Sequence, residues 1–278
     1  MTTGRHIADK GFTGSIPELY DTCLVPLIFE PYAHDLARRL AHSPVVRRPA
    51  RVLEIAAGTG VVTRALAEGL PASVSIVATD LNQPMLDRAA SVGTCRSVEW
   101  RQADAMALPF DDASFDAVVC QFGVMFFPDT PRAFAEARRV LRVGGVLLFN
   151  VWDRIEENEF AATVTDALAV LFPQDPPRFM ARTPHGYHDH QVIAQDLAKA
   201  GFAASPSIET LVRRSRAASA EIAATAYCQG TPLRNEIEAR DASALSRATA
   251  VCAESLARRF GAGPIDGKIQ AHIVSVER

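Results

Sequence analysis

The sequence predicts an α/β fold: a mostly parallel seven-stranded sheet with helices on both faces. Three observations carry the prediction. Five short apolar runs alternate with helix-like segments between residues 50 and 152, Gly, Asp and Pro punctuate the joins, and acidic residues recur where these strands end.

The first strand is Arg51-Val52-Leu53-Glu54-Ile55, and strands follow at 74–79, 98–101, 117–120 and 146–151. Upstream, Tyr32, Ala33, Leu36, Ala37 and Leu40 fall at helical spacing, so residues 30–42 read as an amphipathic helix packed on the sheet. Asn82 reads as the cap of a helix with Pro84 in its first turn. Thr130 reads as the cap of another, with Pro131 at its first position and Gly144-Gly145 at its end. Beyond Trp152 a helix is expected over 157–171, then an irregular stretch from Pro173 to Pro177 leading to the loop His185-Gly186-Tyr187-His188-Asp189-His190. A helix over 190–200 ends at Gly201, and a strand follows at 208–213. Residues 217–260 read as Ala-rich helices interrupted near Gly230-Thr231-Pro232, and a last strand runs from Ile269 to Val276.

Composition bounds the function. With 278 residues, 48% hydrophobic and 22% charged, the chain has material for a sizeable core, which excludes disordered, collagen-like and disulfide-framework classes. A net charge of -3 lacks the cationic field that phosphate-dominated binding needs, so no nucleic-acid partner is expected. The five cysteines, Cys23, Cys95, Cys120, Cys228 and Cys252, form no CxxC pair, which fits a reducing, cytoplasmic setting. Met1 to Lys10 is polar, unlike a signal peptide, and no window approaches the roughly 18 apolar residues of a membrane span. A small-molecule partner is expected instead, and a homodimer is compatible with this composition.

The candidate chemistry gathers where the strands end. Strand one runs into Ala56-Ala57-Gly58-Thr59-Gly60, a turn whose glycines allow close approach of a ligand to the backbone and to the open end of the following helix. A dinucleotide and an adenosine cofactor without phosphates compete for such a turn. The G-x-G-x-x-G pattern of dinucleotide binders aligns as Gly58, Gly60 and then Thr63, without the third glycine. Glu54 would repel a pyrophosphate and favours a cation-bearing ligand. Asp80, at the end of strand two, can accept from both hydroxyls of a ribose, and Asp104 can accept from an adenine amine while Ala105 or Met106 offers a backbone N–H. Each acid alone also reads as a helix cap or loop ligand. Three at successive strand ends point to one ligand edge. On the later loop, His185 and His188 are candidate bases, no metal site is expected, and Asp189 reads as the cap of the next helix.

In order and spacing, 52–60, 78–81, 103–105, Leu108-Pro109-Phe110-Asp111-Asp112-Ala113-Ser114-Phe115-Asp116 and 140–145 resemble the class I S-adenosylmethionine (SAM)-dependent methyltransferases. The branch closest in texture holds the ubiquinone and menaquinone biosynthesis methyltransferases. The resemblance is specific over about residues 45–152 and loose elsewhere. It implies a Rossmann-like class I methyltransferase fold in which the final strand is antiparallel and inserted beside strand five. It implies one domain over 1–278: a helical cap over 1–45, a SAM-binding core over 46–152, and a substrate-side region over 153–278 with a helical insertion at about 217–262.

Carried over residue by residue, Glu54 anchors the loop near the methionine amine. Ala56, Ala57, Gly58 and Gly60 line the methionine and ribose, Asp80 with Leu81 holds the ribose, and Asp104, Ala105 and Met106 hold adenine. Gln121 faces the methionine end, and Tyr20 and Phe29 form a lid. This chain has Ala56 where the family often has glycine. The implied function is transfer of a methyl group from SAM, leaving S-adenosylhomocysteine, to a small apolar or aromatic molecule. The rivals are an NAD-dependent oxidoreductase and a non-catalytic SAM-binding regulatory protein.

Overall fold

The computed structural model describes residues 14–278. Residues 1–13 of the expected cap, including the polar stretch Met1–Lys10, lie outside the described residues. Seven strands form one sheet: β1 (Ala50–Ile55), β2 (Val74–Asp80), β3 (Glu99–Gln102), β4 (Phe115–Gln121), β5 (Leu141–Trp152), β6 (Ser207–Ala217) and β7 (Ile265–Glu277). Their order is β3-β2-β1-β4-β5-β7-β6. Strands β1 to β5 pair in parallel, with Val52 opposite Ile76 on one side and Ala117 on the other. β1 and β4 are buried along almost their whole length, which is why they read as continuous apolar runs. Gly144 N–H donates to the Arg278 carbonyl at one end of β5 and Asp153 N–H to the Gln270 carbonyl at the other, so β7 runs antiparallel to β5.

Because β1 has β2 on one side and β4 on the other, successive crossovers leave it in opposite directions. The C-terminal ends of β1 and β4 therefore open a crevice where loops can part around a ligand.

The chain divides into two compact units. The sheet unit comprises Glu30–Val151, Tyr187–Leu211 and His272–Arg278; the helical unit comprises the chain up to Phe29, Trp152–Gly186 and Val212–Ala271. In the sheet unit the core gathers Leu53, Phe115, Val118, Phe134, Phe149 and Val274. Helix Glu30–His42 buries the five apolar residues whose spacing predicted it.

In the helical unit, helices Glu159–Leu171, Ala220–Gln229, Leu233–Arg240 and Leu245–Phe260 pack through small residues, among them Ala223, Ala224, Ala226, Ala248 and Ala253. Its first segment, Tyr20–Phe29, is π-helical around Pro26, and the Tyr20 and Phe29 rings stack 5.0 Å apart. No helix among the described residues is long and apolar enough to cross a membrane.

Four local expectations change. The cap of helix Thr130–Val140 is Asp129, whose carboxylate accepts from Arg132 N–H, and Thr130 is the first helical residue. Asn82 stands at its cap position without a side-chain cap bond, because its own N–H is held by Asp80. Gly144-Gly145 do not end that helix. They lie inside β5, where the register jumps from Phe115 opposite Leu141 to Ala117 opposite Val146. The bulge needs these residues: Gly144 has φ +77°, and a Cβ on Gly145 would stand 3.0 Å from the Asp116 carbonyl oxygen. Finally, the Ala-rich helices break twice, again between Arg240 and Leu245.

Candidate functional site

β1 ends in a turn with three left-handed residues, Ala56 (φ +55°), Gly58 (φ +57°) and Gly60 (φ +82°), which lead into helix Val61–Gly69. Asp80, at the end of β2, holds this turn. One of its carboxylate oxygens accepts from Gly58 N–H at 2.8 Å and the other from Asn82 N–H at 2.8 Å. The oxygen that meets Asn82 N–H also accepts from the Asn82 side-chain amide at 3.4 Å, and the Leu81 amide adds to the set that holds this carboxylate. Burial raises the Asp80 pKa, against the lowering effect of these amides.

Glu54 lies beneath the turn and is fully buried. Its carboxylate accepts from the Thr63 hydroxyl at 2.5 Å, and its backbone carbonyl accepts from the Thr79 hydroxyl at 2.9 Å. Desolvation pushes its pKa up to about 8, with Thr63 pulling it down. The departure from the dinucleotide pattern at position 63 thus has a structural use: the residue there donates to a buried acid. Within the turn, the Thr59 hydroxyl is buried and has no hydrogen-bond partner among the described residues. Gly60 answers to packing, since a Cβ there would meet the Trp100 ring at 2.9 Å.

After β3, the Asp104 carboxylate accepts from Met106 N–H at 2.9 Å, so this amide is already spent and Ala105 is the remaining backbone candidate of the pair. Leu81 is 46% exposed beside Asp80 and offers an apolar side chain at that strand end. At the end of β4, the Gln121 side chain accepts from Asn150 at 3.4 Å. Next to it Phe122 takes φ +50°, a strained value for a bulky residue, with its N–H held by both the side-chain and backbone oxygens of Asn150. Its ring packs edge-on against Tyr32 at 5.3 Å.

The sheet unit therefore brings together Glu54, Ala56, Ala57, Gly58, Gly60 and Asp80 around one turn. Sequence reasoning missed the roles of Thr63, Asn150 and Phe122. Asn150 had left a signal, a lone amide in the apolar run 146–151.

The histidine loop divides between the units. His185, in the helical unit, is buried, with Nδ1 2.8 Å from the Asp153 carbonyl oxygen and its ring 6.0 Å from Trp152. A carbonyl only accepts, so Nδ1 carries the proton and Nε2 is the basic nitrogen. His188 is half-buried in the sheet unit, and His190 packs edge-on against His272 at 4.2 Å. Asp189 caps helix His190–Lys199 by accepting from Gln191 and Val192 N–H.

A methyltransferase-domain family model matches residues 53–149. A ubiquinone/menaquinone biosynthesis C-methyltransferase of Teredinibacter turnerae is 32% identical over 171 residues, which are 57% of this chain and 69% of that relative. A demethylmenaquinone methyltransferase of Deinococcus radiodurans is 43% identical over 114 residues, 40% of this chain. The chain spans less than half of that second relative's length, 45%. Among solved structures, the YcgJ protein of Bacillus subtilis superposes with a TM-score of 0.57 at 17% identity, over 89% of this chain and 99% of that one.

Proposed function

The chain belongs to the class I SAM-dependent methyltransferase family, near the ubiquinone and menaquinone biosynthesis C-methyltransferases, and from that premise we propose that it methylates a small apolar or aromatic acceptor. The acceptor class its relatives suggest is the ring carbon of a quinone precursor. The observation that carries the cofactor assignment is the turn after β1, whose Thr59 hydroxyl is buried with no partner among the described residues, between two left-handed glycines of which Gly58 is tied to Asp80.

The residues fit SAM on chemical grounds. Asp80 offers a ribose diol a carboxylate at the strand end, Leu81 sets an exposed apolar side chain beside it, and Glu54 supplies a carboxyl whose ionisation a nearby ammonium would favour. Bound there, SAM supplies a methyl group on a sulfonium, open to in-line displacement by a nucleophile. The protein's part is to orient the partners and exclude water. A ring-carbon acceptor gains nucleophilicity when an adjacent hydroxyl loses its proton. We assign that proton to His185, whose tautomer is fixed by the Asp153 carbonyl, with His188 as the second candidate. Acceptor selectivity is assigned to residues outside the matched span 53–149.

Calorimetric titration tests the cofactor reading. S-adenosylhomocysteine should bind and NAD should not; the reverse would replace methyl transfer by hydride transfer. Turnover with a demethylated naphthoquinol then tests the acceptor. His185→Ala should abolish it while S-adenosylhomocysteine still binds, and unchanged turnover removes the base assignment.

A further inference from the structure

Two segments leave the C-terminal ends of neighbouring strands, the turn after β1 and the turn after β4, and they meet at one point. A Cβ built on Gly123 would lie 2.5 Å from the Ala56 Cβ and 2.8 Å from the Cys120 sulfur. The first distance is far inside contact range, so the Ala56 methyl occupies the space that Gly123 leaves empty. Neither side can readily give way. The turn after β4 is held by Phe122 N–H on buried Asn150, and the turn after β1 by Gly58 N–H on Asp80 and Ala57 N–H on the Thr79 carbonyl.

Ala56 also holds a left-handed backbone, which strains a residue with a Cβ and costs glycine nothing. A glycine at this place would avoid that strain. Here the methyl instead packs into the notch at Gly123.

We infer that Ala56 and Gly123 form a size-complementary positioning pair that sets the gap between the turn after β1 and the turn after β4, and through it the affinity for the cofactor. The inference rests on the reading of this turn as the SAM site. Neither residue supplies a polar group to the ligand; each acts through the spacing of backbone that does.

A double-mutant cycle tests it, with S-adenosylhomocysteine affinity from calorimetry and Tm from thermal unfolding measured for wild type, Ala56→Gly, Gly123→Ala and the double variant. The Cys120 contact is met equally by Gly123→Ala and by the double variant, so it cancels in the comparison. Gly123→Ala should weaken binding by about tenfold or more and lower Tm, and Ala56→Gly should weaken it by about threefold as the gap loosens. The double variant should bind about fivefold more tightly than Gly123→Ala and regain most of its Tm. Wild-type affinity in Gly123→Ala, or a double variant no better than Gly123→Ala, overturns the pair. A double variant that folds where Gly123→Ala does not supports it, and failure of both to fold overturns it. If wild type binds no S-adenosylhomocysteine, the SAM reading fails, and the pair stands or falls on whether the Tm changes are non-additive.

Discussion

The sheet unit and the helical unit bury their residues by different means. The sheet unit sets large side chains between strands and then places carboxylates at strand ends, each answered by named donors: Thr63 for Glu54, Gly58 and Asn82 for Asp80, and Arg51 N–H with the Arg142 guanidinium for Asp116. The helical unit brings helices together through alanines and the buried thiols Cys228 and Cys252. In the first region a single polar atom fixes a backbone conformation. In the second, the Ala-rich contacts between helices depend on volume, and many sequences of small residues satisfy it.

The largest expected test of this contrast is Asp80→Ala. It leaves two part-buried amides without their acceptor, each costing about 1–3 kcal/mol, so stability should fall by about 2–6 kcal/mol and S-adenosylhomocysteine affinity by about a hundredfold. Unchanged affinity would detach Asp80 from the ligand. Next is Glu54→Gln, read against pH. The folded carboxyl titrates near 8 and the unfolded one near its ordinary 4.5, so the folded chain binds the extra proton between those values and wild-type stability drops as pH rises through that window. Gln does not titrate. Its advantage over wild type in urea unfolding should grow from pH 5 to pH 8, by on the order of a few kcal/mol, and level off above. A pH-independent difference would place the proton elsewhere.

The smallest effect belongs to the helical unit. Ala223→Leu overfills a fully buried helix contact and should cost about 1–3 kcal/mol, seen as a lower Tm, with S-adenosylhomocysteine affinity unchanged. A matching loss of affinity would erase the distinction between the two regions.

The same contrast explains what could be read in advance. Strands β1, β2 and β4 were legible because parallel strands buried on both faces need unbroken apolar runs, and the turn after β1 because closely spaced glycines have few other uses. Asp80 was legible by position. What escaped was cooperative: Thr63 matters only once Glu54 is buried beside it, and left-handed Phe122 only once Asn150 captures its N–H. Gly144-Gly145 misled because glycines after a helix usually mark its end, whereas here they absorb a strand bulge. The π-helical segment at Tyr20–Phe29 was hidden by Pro26, which argues against a helix interior on local grounds.

The strand order has a consequence for how the chain assembles on the ribosome. β6 does not neighbour β5, although it follows it in sequence; β7 stands between them. During synthesis β6 emerges before β7, its neighbour in the sheet, and stays without that partner until Ile265–Glu277 has left the exit tunnel and entered the gap. Strands β1 to β5 form their ladder from contacts already made, while the last third of the sheet closes in one late step that depends on long-range pairing. The cofactor turn belongs to the early part. A nascent chain halted before β7 would already carry the residues that shape it.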